Sequence, residues 1–96
     1  MSLSPLSSGF SVVRGKGLIE AEVDGELVAL HIDKGICYGL NKVGSRVWQL
    51  IENPAKIGDV CAALTSEFDV DAATCEREVL DLLEELRAEG LIEVRG

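Results

Sequence analysis

Ninety-six residues allow one domain with a modest core, and a hydrophobic share of 47% is too high for a disordered chain. Asp and Glu outnumber Lys and Arg by 17 to 9, a formal net charge of −8, which argues against nucleic acid or an anionic membrane as partner and favours neutral or basic segments. No apolar run is long enough to cross a bilayer.

The N-terminus, MSLSPLSSG, lacks the basic start and apolar stretch of a secretory signal, which predicts a cytoplasmic protein. Residues 1–17 read as a flexible N-terminal segment and 18–96 as the domain proper. Within the segment, Phe10-Ser11-Val12-Val13 is a candidate extended piece packed on the sheet. Arg14-Gly15-Lys16-Gly17 lacks the spacing and the following helix of a phosphate-binding loop.

Residues 18–41, LIEAEVDGELVALHIDKGICYGLN, organise the rest. Asp24-Gly25 is a favoured two-residue hairpin dipeptide, and it pairs Val23 with Glu26, Ala21 with Val28 and Ile19 with Leu30. Asp33-Lys34-Gly35 reads as a three-residue loop, pairing Ile32 with Ile36, Leu30 with Tyr38 and Val28 with Leu40. Alternation then gathers Ile19, Ala21, Val23, Val28, Leu30, Ile32, Ile36, Tyr38 and Leu40 on one apolar face. It leaves Glu20, Glu22, Ala29, His31, Cys37 and Gly39 on the other. In this register Ile36, Tyr38 and Leu40 bond the middle strand, while Cys37, Gly39 and Asn41 point their N–H and C=O groups outward. No Lys, Pro or bulge blunts that edge, so it is either covered or built to receive a strand.

Beyond the sheet the hydrophobic period changes to about 3.6. Asn41 caps a first helix with Val43, Val47, Trp48, Leu50 and Ile51 inward, and Asn53-Pro54 follows its end. A second helix from Lys56 to Glu67 presents Ile57, Val60, Cys61 and Leu64, and Phe68 closes it. A third begins at an Asp71 cap and runs to Glu89 with Gly90 as its stop; Cys75, Val79, Leu82, Leu83 and Leu86 form its core stripe. Leu80 falls off that stripe, beside Glu76, Leu83 and Arg87, and two readings stand for it: a partly exposed leucine, or one wall of a groove.

Other chemistry finds little support. Cys37, Cys61 and Cys75 match no metal or redox spacing, and no cofactor is expected. Cys61 and Cys75 sit on core stripes as small hydrophobes. His31 opposite Cys37 has no third orienting group, which weighs against thiol catalysis and metal binding. Arg87 alone reads as a solvated helix charge, and Tyr38 and Leu40 as partly core. A winged-helix DNA binder would share the layout, but its recognition helix would be basic, and DAATCEREVLDLLEELRAEG is acidic. A carrier protein would need a Ser in an Asp-Ser-Leu setting, whereas Ser45 lies in Gly-Ser-Arg.

Tyr38, Leu40-Asn41, Gly44, Val47-Trp48 and Gly90-Leu91-Ile92 occur in an order that resembles the PqqD-like family over residues 18–94. These are the leader-peptide-binding domains, or RiPP recognition elements, of ribosomal peptide maturation. The resemblance implies an α+β, winged-helix-like fold, a three-stranded antiparallel sheet followed by three helices. It implies a non-enzymatic role in which a precursor's leader peptide adds to the third strand and lies against the third helix. The residues so implicated are Ile36, Cys37, Tyr38, Gly39, Leu40 and Asn41 from the strand, with Glu76, Val79, Leu80, Leu83 and Arg87 from the helix, and Arg77 as a further candidate. A separate chain of this size looks most like the stand-alone protein of lasso-peptide clusters, which presents the precursor to a leader-cleaving cysteine protease. The alternative within the family is the peptide chaperone of a radical SAM enzyme. Monomer and edge-paired dimer both remain open.

Overall fold

The computed structural model describes residues 9–24 and 26–95. Two small antiparallel sheets flank three helices. The first sheet holds β2 (Leu18–Val23), β3 (Glu26–His31) and β4 (Ile36–Gly39) in that order. The second is built from β1 (Ser11–Arg14) between β5 (Ala55–Lys56) and β6 (Ile92–Arg95). The helices are α1 (Lys42–Leu50), α2 (Ile57–Glu67) and α3 (Ala72–Ala88).

The expected α+β architecture is present, with one sheet more than expected. Ser11–Arg14, read as part of a flexible segment and then as a piece packing on the main sheet, is instead the central strand of the second. Val12 is fully buried there, opposite Ala55 on one side and Val94 on the other. The rest of the expected segment, residues 1–8, lies outside the described residues, as does Gly25. No helix among the described residues is long and apolar enough to cross a membrane.

The first hairpin has the expected register, with Val23 opposite Glu26, Ala21 opposite Val28 and Ile19 opposite Leu30; Asp24 takes the left-handed φ of 54°. The second is displaced by one residue. Ile36 pairs with His31, Cys37 with Leu30, Tyr38 with Ala29 and Gly39 with Val28. The loop has four residues, Ile32 to Gly35, closed by the Gly35 amide on the Ile32 carbonyl (3.3 Å) and by Gly35 at φ 67°. The Lys34 amide also donates to His31 Nδ1 (3.3 Å). A one-residue change of register moves one strand's side chains to the opposite face relative to its neighbour. Tyr38 and Leu40 therefore face inward with Leu27 and Ala29, not with Val28 and Leu30. Ile19, Val23 and Ile32, expected in the core, are 48%, 57% and 63% exposed.

Helix α1 explains the choice of face. Trp48 is fully buried, and its indole N–H donates to Glu20 (2.7 Å) on the inner face of β2. A carboxylate on the inner face is an error by hydrophobic pattern alone, but here it satisfies a buried donor. Glu20 also pairs with Arg14, whose guanidinium stacks 5.2 Å from the Trp48 ring and donates to the Trp48 carbonyl (2.8 Å).

The helix ends follow their capping residues. Asn41 Oδ1 accepts from the Gly44 amide (2.8 Å) and Asp71 from the Thr74 amide (3.0 Å). Helix α3 closes with the Gly90 amide on Arg87 and the Leu91 amide on Leu86 (3.0 and 2.9 Å), with Gly90 at φ 76°. Leu91 and Ile92 then pass into the core and on into β6.

Candidate peptide-binding groove

Strand β4 is an edge, and its outward groups can be identified. The Leu40 amide donates to the Leu27 carbonyl (2.8 Å), so in an antiparallel ladder Tyr38 and Ile36 also spend their groups on β3. Cys37 and Gly39 direct theirs away from the sheet, as expected despite the altered register, because the displacement changes β4's partners and not its own alternation. Asn41, expected to do the same, instead spends its carbonyl on the Ser45 amide (2.7 Å) as the cap of α1. At the far end the Ser45 hydroxyl accepts from the Leu27 amide (2.9 Å) and donates to the Leu40 carbonyl (3.2 Å). It stands in for one ladder bond and hands the chain to α1. A Cβ placed on Gly39 would meet nothing within 4 Å, so the space over the strand is open.

Among the described residues, β2 is the other edge of this sheet, and β4 is the edge that borders the groove described next. The groove has a volume of about 430 Å³ and lies between β4, the start of α1, and the α2–α3 pair. Leu40, Val47, Leu64 and Val79 are its buried floor. Val43, Phe68, Val70 and Leu82 are half-buried around it. Along α3, Glu78, Asp81 and Glu85 stand at three- and four-residue spacing and make one wall acidic. No Lys, Arg or His is among its described lining residues.

Tyr38 crosses the groove mouth, its hydroxyl donating to the Glu85 carboxylate. That hydrogen bond, then burial and the charges of Glu85 and Glu89, pushes the Tyr38 phenol up to about 12. Burial, followed by the neighbouring Cys75 and Glu76, pushes the Cys61 thiol up to about 11, and burial with Glu78 raises that of Cys75. Both thiols thus stay protonated, and a protonated thiol is a poor nucleophile and a poor metal ligand.

Of the residues implicated from sequence, Tyr38, Gly39, Leu40, Asn41 and Val79 come together at this groove. Ile36 and Cys37 lie on β4 beside it. Glu76, Arg77 and Leu80 do not: they border a second, shallower depression with Ala73 and Glu84 on the other flank of α3, and Asp81 stands between the two and borders both. Leu83 is fully buried and offers no wall. Arg87 borders neither depression. Besides Val79, α3 lines the groove with Leu82 and not Leu80, and the helical pattern assigns Leu82 to the core. Position along α3 is legible in the pattern, but which flank turns toward β4 depends on how the helix is rotated against the sheet. The contributions of Phe68 and Val70, from the α2–α3 connection, carried no sequence signal.

An α+β domain with one open strand edge alongside an apolar groove belongs to the class that receives an extended peptide by adding it to a sheet. Residues 26–92 match the family described as Coenzyme PQQ synthesis protein D (PqqD), and the chain belongs to that family. Among solved structures it is similar to TbiB1 in complex with the TbiA(beta) leader peptide, at 34% identity and a TM-score of 0.77, covering 84% of this chain and 94% of that one. It also shares the fold of lasso peptide synthetase B1 complexed with the leader peptide (24% identity, TM-score 0.76, 85% of this chain and 96% of that one). No curated protein matches the chain.

Proposed function

We propose that this protein is a non-catalytic leader-peptide-binding protein of lasso-peptide biosynthesis. It takes the leader as an added strand on β4 and presents the precursor to a maturation enzyme, in this reading a leader-cleaving protease. The observation that carries the proposal is the conjunction of the open β4 edge with the adjoining groove, in a relative of a protein whose structure holds a leader peptide.

The outward groups of Cys37 and Gly39 supply the main-chain bonds, and the groove takes the side chains that alternate toward α3. Magnitudes assign the roles. A few strand hydrogen bonds at about 1 kcal/mol each do little more than offset an ordering cost of about 2–5 kcal/mol. Net affinity must therefore come from apolar anchors, each contributing roughly 1.5–3 kcal/mol when buried. Specificity accordingly resides in the apolar lining of the groove, at Leu40 and Val79 on its floor and Val43 and Leu82 beside it, with Tyr38 at the mouth. Protonated Cys61 and Cys75 support a binding rather than a chemical role.

The test is fluorescence-polarisation binding of the TbiA(beta) leader peptide, and of leaders encoded beside this gene, to the full chain. Gly39→Pro removes an outward N–H without costing a β3 bond, and Leu82→Glu places a charge in the groove. Each is expected to weaken binding at least about tenfold, whereas Leu80→Glu, on the other flank, leaves it within about twofold. Binding lost in Leu80→Glu and kept in Leu82→Glu would move the site to the outer flank of α3. No binding of any leader would overturn the proposal.

A further inference from the structure

The groove is not chemically neutral, and its asymmetry says what kind of peptide it takes. Its floor is apolar, one side is the polar edge of β4, and the opposite side is the acidic face of α3. Glu78, Asp81 and Glu85 are exposed side chains along that face. No cationic residue shares the groove with them among its described lining residues. From the groove reading above, we infer that the peptide seated on β4 carries a Lys or Arg directed at α3. Glu78 and Glu85, with Asp81 between them, are the residues that select for it.

The geometry supports this in two ways. A strand added to β4 points alternate side chains toward the groove, so a basic residue within two positions of an apolar anchor reaches the wall while the anchor fills the floor. The Tyr38 hydroxyl holds the Glu85 carboxylate at the mouth of the groove, on the β4 side where a peptide would lie. Tyr38 is thus a positioning residue for the acid as well as part of the groove lining. The wall also works as a filter, since an acidic side chain directed at the same place would meet three carboxylates with no cationic residue among the groove's described lining residues, and such like-charge contacts are strongly disfavoured.

The experiment is a charge scan of the TbiA(beta) leader peptide against the full chain, replacing each position in turn with Lys and with Glu. Two variants with equal loss of charge are compared: E78Q/E85Q in the groove wall, and E76Q/E84Q on the other flank of α3. The expected result is at least one position where Lys binds about tenfold more tightly than Glu. That preference should shrink to about twofold or less in E78Q/E85Q and on raising salt from 0.1 M to 1 M, where the screening length falls from about 10 Å to about 3 Å. It should persist in E76Q/E84Q. Parity of Lys and Glu at every position overturns the inference while leaving strand addition intact. An equal loss of preference in both variants also overturns it, because the effect would then come from net charge and not from the wall. If the unsubstituted peptide and all its variants fail to bind, the peptide-site reading falls first.

Discussion

Tyr38, Glu85, Glu20 and Trp48 are the residues whose individual chemistry matters most. Tyr38 is the sole tyrosine in the sequence, so its titration can be followed directly by ultraviolet absorbance. Its folded-state midpoint is expected near 12, against about 10 in the unfolded chain. With the folded value raised, the stabilisation is fully present below about pH 10 and is lost as the pH climbs toward 12. Glu85→Gln removes the largest cause and should move the midpoint down toward the ordinary phenol value; an unmoved midpoint would show that Glu85 does not hold the hydroxyl. Glu20 lies in the same cross-strand row as Tyr38, on the far strand of the sheet, and accepts from the buried Trp48 indole. Glu20→Ala should cost about 1–3 kcal/mol in urea unfolding, the penalty for an unsatisfied buried donor, and Trp48 fluorescence, from the sole tryptophan, reports the transition.

At the scale of elements, the β2–β3–β4 sheet has its two faces assigned by α1 and not by hydrophobic count. Leu27 and Ala29 are buried, while Ile19 and Val23 are largely exposed, as is Ile32 in the loop that follows. Ile32→Asp should therefore change unfolding free energy by no more than about 0.5 kcal/mol, as at an ordinary surface site. Ala29→Asp should destabilise by at least about 3 kcal/mol, because it buries an unpaired charge beside Tyr38 and α1. The reverse ranking would restore the three-residue loop and the face expected from it. The alternation of Ile36 to Asn41, by contrast, was legible in sequence, since a short strand carries its own parity whatever its partner's register. The outward direction of Cys37 and Gly39 was therefore available from the residues, whereas the half of the groove contributed by α3 was not. Leu82 on the stripe and Leu80 off it are both leucines of α3, and only the packing of that helix against α2, β6 and α1 turns Leu82 toward the groove.

Over the whole molecule, the second sheet ties the two ends of the described chain together and closes the core behind the groove. Val12 in β1 and Ile92 in β6 are buried, and the Gly15 amide donates to the Leu91 carbonyl (2.8 Å) where the strands begin to part. Leu91 is fully buried immediately after the α3 stop. Leu91→Ala should cost about 2–5 kcal/mol, a large share of the roughly 5–15 kcal/mol that holds a domain of this kind together, and calorimetry would record it as a drop in Tm. A small effect would mean that β6 is dispensable and that the first sheet with the helices is the folding unit.

The sequence by itself determined the three helices and the register of the first hairpin. The Asp24-Gly25 turn, helix caps at Asn41 and Asp71, and the Gly90 stop act over three to five residues, so their consequences are local and readable. It also determined the open edge, through strand alternation, and the family, through the order of motifs along the chain. Tertiary structure alone decided the register of the second hairpin, the buried face of its sheet, the flank of α3 that lines the groove, and the second sheet. Each of these depends on contacts between residues far apart in sequence: Trp48 with Glu20, Ser45 with Leu27, Tyr38 with Glu85, Val12 with Val94. A periodic pattern fixes which residues share a face, but not which face another element will cover.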